Sequence, residues 1–118
     1  MIMQGDVWEV EFFPNIGSEI GKKRPAIVVS FDSIGKLPFK TVVPITEYSE
    51  NYRHYQWMIQ LINTPMNGLA KVSAIDCFQI HNFSDSRFSR KIGQIDEALL
   101  REIHQVIAKT LNPKYRLV

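Results

Sequence analysis

The hydrophobic residues of this chain change their spacing once, and that change limits the fold. Up to about residue 80 they form short segments that alternate with polar residues or are rich in β-branched residues, which is typical of strands. Clusters of Gly, Pro and Asn separate these segments. From Asp96 to Leu111 the apolar residues instead recur at helical spacing. We therefore predict a mainly β protein (α+β) that ends in one amphipathic helix.

Five strands are predicted from the short segments. They are assigned to Asp6–Phe12, to Ile27–Val29, to Thr41–Thr46, to residues 57–62 and to Val72–Ile80. The second strand is expected to begin after Pro25, and the fifth follows a turn at Asn67-Gly68. Pro44 lacks a backbone donor, which indicates an edge, a bulge or the end of the third strand. Five short strands in 118 residues indicate a small barrel or sandwich.

The helix has recognisable ends. Asp96 is the expected N-cap, Ile95 and Leu100 stand at the two positions of a hydrophobic staple, and Asn112-Pro113 ends the helix. Its apolar stripe consists of Leu99, Ile103, Val106, Ile107 and Leu111. This stripe is expected to pack on the sheet or on a partner chain. Together with Trp57, Phe83 and Phe88, it offers apolar surface that a second protomer could cover.

Composition limits the remaining classes of protein. A chain of 118 residues with 45% hydrophobic and 22% charged residues fits one globular domain over residues 1–118. No apolar stretch approaches the ~20 residues of a membrane helix, and no signal peptide is recognisable, so a cytoplasmic protein is expected. The single cysteine, Cys77, cannot form an internal disulfide or a thiolate zinc site. The net charge of +2 argues against general binding of polyanions.

Two residues stand where a strand meets a polar loop. Arg24 follows Lys22-Lys23 and directly precedes the proline of the second strand, so its guanidinium would be held on a rigid element and could bind a phosphate. The same basic triplet also fits an ordinary solvated turn. Thr46, at the end of the third strand, could orient a phosphate oxygen, although threonine is also common in strands for its β-propensity.

Asp76 stands in an otherwise apolar segment, between Ile75 and Cys77. A carboxylate there is either the partner of a cation or a turn residue. If Arg24 were near, the two could form a working pair. None of the three histidines has the spacing of a metal ligand, so we expect neither a metal nor another cofactor. Cys77 is interpreted as a small buried hydrophobe.

The polar loop after the third strand is rich in aromatic and basic groups. Tyr48, Tyr52, Arg53, His54 and Tyr55 have the composition by which single-stranded RNA is often bound. A solvated loop would have the same composition.

Several segments in order resemble the PemK/MazF family of toxin endoribonucleases from type II toxin–antitoxin systems. The most specific is Gly17-Ser18-Glu19-Ile20-Gly21-Lys22-Lys23-Arg24-Pro25. The others are Gly5-Asp6-Val7-Trp8, Val42-Val43-Pro44-Ile45-Thr46, Asp76 to Gln79, Arg87 to Gly93, and Asp96 to Leu111. The resemblance therefore extends over nearly the whole chain.

This resemblance implies a fold, an activity and partners. The fold would be a small SH3-like β-barrel of the PemK/MazF/CcdB toxin type with a C-terminal amphipathic helix. The activity would be metal-independent, sequence-specific cleavage of single-stranded RNA, including mRNA, through its own 2′-hydroxyl to a cyclic phosphate and a 5′-hydroxyl. The partners would be a second protomer in a homodimer and a cognate antitoxin. The resemblance assigns catalysis to Arg24 and Thr46.

Further residues are expected to contact RNA or to assist the reaction. The predicted RNA contacts are Glu19, Lys22, Lys23, Tyr48, Arg53 and Gln79. Family members often have an acid directly before this glutamine and a basic residue two positions after it, whereas this chain has Phe78 and His81 there. The acid's place can be taken by Asp76. Asp76 and His81 are therefore secondary catalytic candidates, and His81 would act as a cation only when protonated.

Two other functions fit the same pattern. A toxin of the same fold could poison DNA gyrase through a protein interface, which would require no residues that cleave phosphate esters. A non-catalytic SH3-like barrel could bind RNA or protein through the basic turn and the aromatic loop.

Overall fold

The computed structural model describes residues 1–12, 22–32, 37–112 and 114. Its strands are β1 (Asp6–Phe12), β2 (Lys22–Val28), β3 (Phe39–Glu47), β4 (Met58–Leu61), β5 (Ser73–Asp76), β6 (His81–Ser84) and β7 (Phe88–Gln94). The helix α1 covers Glu97–Leu111, and short 3-10 helices occupy Glu50–His54 and Asp85–Arg87. No helix in the described part of the chain is long and apolar enough to span a membrane.

The strands form one antiparallel sheet. Their order is β4-β5-β3-β2-β1-β7, and β6 pairs with β3 beside this series. The prediction of a mainly β protein with one C-terminal helix is confirmed. Among the described residues, however, no pairing joins the outer strands β4 and β7 to each other, so the sheet is not closed and the expected barrel is not confirmed.

The strand assignments needed three corrections. β2 begins at Lys22 rather than after Pro25, because Pro25 itself pairs with Glu9 of β1. The fifth strand ends at Asp76. The prediction also missed β6 and β7, because their exposed, mixed polar sequences do not alternate as a half-buried strand does.

Pro44 lies inside β3, at the point where the strand changes neighbours. Along one edge, Phe39 to Val42 pair with β6 and Ile45 to Glu47 pair with β5. Pro44 itself faces Ala26 of β2 across the other edge. The backbone N–H that Pro44 lacks therefore falls in the gap between the β6 pairing and the β5 pairing, where a strand tolerates proline.

The sheet has apolar residues on both faces. Against the helix lies the helix-side core, formed by Val7, Ile27, Val29, Val43, Ile45, Ile59, Leu61, Ile75, Cys77, Ile95 and Ile103. On the other side lies the opposite-face cluster, formed by Val10, Ala26, Val28, Val42, Phe83 and Phe88, with Ile2, Trp8 and Phe12 at its margin. Successive strand residues alternate between the two faces, so these clusters identify the face of each neighbouring residue.

The helix begins and ends as predicted. The Asp96 carboxylate accepts a hydrogen bond of 2.8 Å from the backbone N–H of Leu99, and Ile95 and Leu100 both pack in the helix-side core. Asn112 adopts the left-handed conformation that commonly ends a helix. The apolar stripe packs on the sheet of its own chain up to Ile107, whereas Leu111 is 71% exposed.

The predicted turn at Asn67-Gly68 is present. The buried Asn67 side chain accepts hydrogen bonds from the N–H groups of Thr64 and Leu69 and donates one to the carbonyl oxygen of Ile62. Gly68 has a positive φ of 71°, and a Cβ at this position would collide with the carbonyl of Ile92. This turn therefore requires glycine and holds the β4–β5 connection against β7.

Candidate functional site

Arg24 and Thr46 lie on the same face of the sheet. Arg24 is two residues before Ala26 in β2, and Thr46 is four residues after Val42 in β3. Because Ala26 and Val42 belong to the opposite-face cluster, alternation directs Arg24 and Thr46 away from the helix as well.

The strand register also relates the two residues. β2 and β3 pair through Val28↔Val42, Ile27↔Val43 and Ala26↔Pro44, where the described pairing ends. If this register is extended by two residues along each strand, Arg24 stands opposite Thr46. β2 and β3 thus carry these residues at corresponding positions just beyond their last shared pair.

Arg24 is exposed near the beginning of β2 and pairs with Val10 of β1. No described carboxylate forms an ion pair with it. A guanidinium on a rigid strand offers a planar set of donors that matches the oxygens of a phosphate. By alternation, Lys22 lies on the same face of β2 as Arg24, whereas Lys23 lies on the face towards the helix. Glu19, the other residue predicted in this loop, lies outside the described residues.

The strand neighbours of Thr46 line a cavity of about 290 Å³. Thr46 pairs with Ala74 of β5, which in turn pairs with Gln60 of β4, so the three residues form a row across one face. The residues lining the cavity are Tyr48, Tyr52, Arg53, Met58, Gln60 and Ala74. Two members of the Thr46 row thus belong to the cavity wall. The sequence did not predict Met58, Gln60 or Ala74 as site residues, although the alternation of β4 and β5 places all three on this face.

The cavity's outer wall is an ordered part of the loop after β3. Ser49 caps the short helix Glu50–His54, and Arg53 forms an exposed ion pair of 3.4 Å with Glu50. The Tyr48 and Tyr52 rings meet edge to face, with their centroids 6.4 Å apart. Two of the predicted RNA contacts, Tyr48 and Arg53, therefore lie in one wall.

Asp76 has the contacts of a turn residue. Its carboxylate accepts hydrogen bonds of 3.1 Å from the backbone N–H of Phe78 and 2.9 Å from the side-chain amide of Gln79. It forms no ion pair with Arg24 in the described structure. The contacts of Asp76 therefore agree with the turn interpretation, and they join it to Gln79, another predicted site residue.

His81 lies in aromatic surroundings, away from Thr46. Its ring stacks on Phe83 at a centroid distance of 5.2 Å and meets Phe12 edge to face at 5.3 Å. It pairs with Val42, which is four residues or about 13 Å along β3 from Thr46. Within the part of the chain that the structure describes, no group of three His, Cys, Asp or Glu residues is arranged to hold a metal ion.

Cys77 is fully buried in the helix-side core, which agrees with its interpretation as a small hydrophobe. Burial, with a smaller contribution from the negative charges of Asp76 and Glu102, raises the pKa of its thiol to about 12. A thiol of this kind remains protonated at neutral pH and is a poor nucleophile.

Comparisons with known proteins identify relatives over the whole described fold. A family model described as PemK-like, MazF-like toxin of type II toxin-antitoxin system matches residues 3–111. The chain is 28% identical over 113 residues to endoribonuclease MazF9 of Mycobacterium tuberculosis (strain ATCC 25618 / H37Rv), covering 91% of this chain and 93% of the relative.

Solved structures share the fold at lower sequence identity. The toxin MazF-mt6 of Mycobacterium tuberculosis superposes with a TM-score of 0.73 at 17% identity, over 93% of this chain and 99% of the toxin. A MazE–MazF crystal structure (Form-II) from Deinococcus radiodurans superposes with a TM-score of 0.76 at 20% identity, over 94% of this chain and 96% of that chain. An endoribonuclease in complex with its cognate antitoxin, from a mycobacterial species, gives 0.74 at 14% identity, over 98% of this chain and 100% of that chain.

Proposed function

The chain belongs to the family of PemK-like, MazF-like toxins of type II toxin–antitoxin systems, and we propose that it is an endoribonuclease that cleaves single-stranded RNA at short sequences without a metal ion. Its relative MazF9 is itself named an endoribonuclease. Arg24 and Thr46 carry the reaction in this proposal. The observation that supports it most directly is their shared sheet face at corresponding positions of β2 and β3.

The reaction uses the RNA as its own nucleophile. The 2′-hydroxyl loses its proton to a base and attacks the adjacent phosphorus, the bond from phosphorus to the 5′-oxygen breaks, and that oxygen receives a proton. The products are a 2′,3′-cyclic phosphate and a 5′-hydroxyl. Negative charge accumulates on the phosphate in the transition state, so donors directed at its oxygens accelerate the step.

Arg24 supplies the positive charge that this transition state requires. Its guanidinium donates to a non-bridging phosphate oxygen or protonates the departing 5′-oxygen, while the Thr46 hydroxyl orients a second non-bridging oxygen. Asp76 and His81 remain secondary candidates for proton transfer. Of the two, Asp76 is the better placed, because β5, which ends at Asp76, carries the Thr46 partner Ala74.

The substrate is held as an unpaired strand in the cavity beside Thr46. Its wall offers Tyr48 and Tyr52 for stacking, Arg53 for a phosphate and Gln60 for a base edge, which are the contacts by which single-stranded RNA is recognised. Lys22, Gln79 and Glu19 are further proposed RNA contacts. Lys23 was expected to be one as well, but alternation directs it to the helix side of β2, away from the face that bears Arg24 and Thr46.

The protein would act as a homodimer that a cognate antitoxin inhibits. Two of its structural relatives are known as complexes of toxin with antitoxin. An antitoxin segment that covered the face bearing Arg24 and Thr46 would exclude RNA directly.

The test is cleavage of a long natural RNA in EDTA, with new 5′ ends mapped by primer extension. We expect discrete cuts that share a short motif, and we expect Arg24→Ala to lower the rate at least ~100-fold, the usual effect of removing a group that stabilises transition-state charge. Arg101→Ala is the matched control. Because Arg101 is exposed on the helix, this variant should cleave RNA as fast as the unchanged protein does.

Two outcomes would contradict the proposal. Equal cleavage by Arg24→Ala and by Arg101→Ala would remove Arg24 from the catalytic site. A folded protein that makes no cuts at all would favour the gyrase-poisoning or the non-catalytic function, and a supercoiling assay with gyrase would distinguish these two.

A further inference from the structure

Five aromatic side chains form a continuous series across the surface, which we call the aromatic series: Tyr48, Tyr52, Tyr55, Trp57 and Phe78. Their successive ring centroids are separated by 6.4, 5.8, 4.8 and 6.3 Å. The sequence suggested only the part before Trp57, because Phe78 belongs to another segment of the chain. The fold therefore joins two separate stretches into one surface.

The aromatic series begins at the proposed cleavage site and continues beyond it. Tyr48 and Tyr52 line the cavity beside Thr46. At the other end, Trp57 and Phe78 line a second cavity of about 250 Å³ next to the last turns of the helix, together with Val106, Lys109 and Thr110. The series thus connects two cavities around the outer strand of the sheet.

The rings remain accessible for stacking. Tyr55 and Trp57 lie almost parallel, with 10° between their planes, and both are exposed. Phe78 is 65% exposed, so much of its ring is available for contact. A base that stacked on Tyr55 or Trp57 would extend an existing stack, and such contacts tolerate any sequence because every base has a flat face.

Cations stand at both ends of the series. Arg53 lines the first cavity, and its ion pair with Glu50 is exposed and therefore weak in water, so a phosphate could replace the carboxylate. Lys109 lines the second cavity. Aromatic rings flanked by cations are typical of surfaces that bind single-stranded nucleic acid, where bases stack on the rings and phosphates contact the cations.

We propose that the aromatic series binds the bases of RNA nucleotides that flank the cleaved bond, with Trp57 and Phe78 forming a subsite beyond the proposed cleavage site. This inference rests on the proposed function and extends it. The subsite would add affinity for longer substrates without selecting their sequence, because stacking does not read base edges.

The test measures binding separately from cleavage. Fluorescent 2′-O-methyl oligouridines of about four to twelve nucleotides cannot undergo attack by a 2′-hydroxyl, and their affinity is measured by anisotropy. For the unchanged protein we expect the affinity to rise with oligonucleotide length. We expect Phe78→Ala to bind the long oligonucleotides roughly tenfold more weakly and the shortest with unchanged affinity. Phe78→Tyr should retain the higher affinity for the long oligonucleotides.

The matched control is Phe31→Ala, which removes a phenylalanine of similar exposure, 62%, outside the series and should bind as the unchanged protein does. As a second readout, Trp57 fluorescence in a Trp8→Phe background should be quenched by the long oligonucleotides and less by the shortest. Equal length dependence in Phe78→Ala and Phe31→Ala, with no quenching of Trp57, would overturn the inference and leave this surface to a protein partner.

The two proposals fail separately. A protein that cleaves RNA but shows no effect of Phe78→Ala keeps the proposed function and loses the subsite. A protein that binds long oligonucleotides through Phe78 but cuts no RNA keeps the stacking surface and loses the nuclease.

Discussion

At the scale of single residues, burial determines what Cys77 can do. Its side chain is fully enclosed in the helix-side core, and its thiol has a pKa of about 12, against 9.0 for an exposed thiol. Only a negligible fraction is ionised at neutral pH, and the reactive form of cysteine is the thiolate.

We therefore expect Cys77 to resist a disulfide reagent at about pH 8 while the protein is folded, and to react at the rate of a free cysteine in urea. The measurement is the time course of thiol modification, with and without denaturant. A fast reaction of the folded protein would show that the thiol is accessible or that its pKa is near the ordinary value.

The same pKa predicts a dependence of stability on pH. Because the pKa is higher in the folded than in the unfolded protein, the unfolded state loses its proton first as pH rises above 9.0. The contribution of this thiol to the free energy of unfolding is therefore complete below pH 9 and declines towards pH 12. Cys77→Ala should show a smaller decline over this range than the unchanged protein.

Residue-scale predictions of the site depended on local context. Arg24 and Lys22 could be proposed as site residues because a basic triplet before a buried strand is visible in the sequence. Tyr48 and Arg53 could be proposed because their loop is rich in aromatic and basic groups. Gln60 and Ala74 could not, because a lone glutamine or alanine carries no signal until strand pairing puts it beside Thr46.

At the scale of elements, the helix was predicted almost completely because its signals are local. The Asp96 cap, the apolar period and the left-handed Asn112 all act within a few residues of each other. Leu111, the last residue of the predicted stripe, is exposed in the single chain, and packing on a partner chain stays a prediction for this residue.

Removing the cap should destabilise the protein by a defined amount. We expect Asp96→Ala to lower the free energy of unfolding by about 1 kcal/mol, because the N–H of Leu99 loses its acceptor. Asp96→Asn should keep most of the stability, since an amide oxygen also accepts this bond. Urea unfolding of the three proteins measures the difference, and equal midpoints for Asp96→Ala and the unchanged protein would exclude a role of the cap.

β6 and β7 were not predicted, because these strands are stabilised by pairing with neighbouring strands of the sheet. β6 pairs with β3 and buries only Phe83, while β7 pairs with β1 through two irregularities in register and buries only Phe88. Sequences of this kind carry little intrinsic strand signal, because packing against neighbours, rather than propensity, holds them in the sheet.

At the scale of the whole molecule, part of the expected basis for a dimer is absent. The helix stripe packs largely on its own sheet, and Phe83 and Phe88 are buried in the opposite-face cluster of the same chain. These residues therefore leave little apolar surface for a second protomer. Exposed apolar side chains remain elsewhere, among them Phe31, Leu37 and Phe39.

We nevertheless expect a homodimer, because the resemblance to the family implies one. Light scattering at micromolar concentration should give twice the chain mass of 13.7 kDa. A mass equal to that of a single chain at the concentrations at which RNA is cut would show that one chain suffices for the reaction.

The sequence by itself determined the features whose causes are local: the first strand, the capped helix and the Asn67-Gly68 turn. It also carried the family resemblance, from which the roles proposed for Arg24 and Thr46 come. The tertiary structure alone decided the features that depend on pairing between distant segments. It joined β6 to β3, set Thr46 beside Ala74 and Gln60, and connected Phe78 to Trp57 in the aromatic series. Register and packing are properties of residues far apart in the chain, so no local pattern contains them.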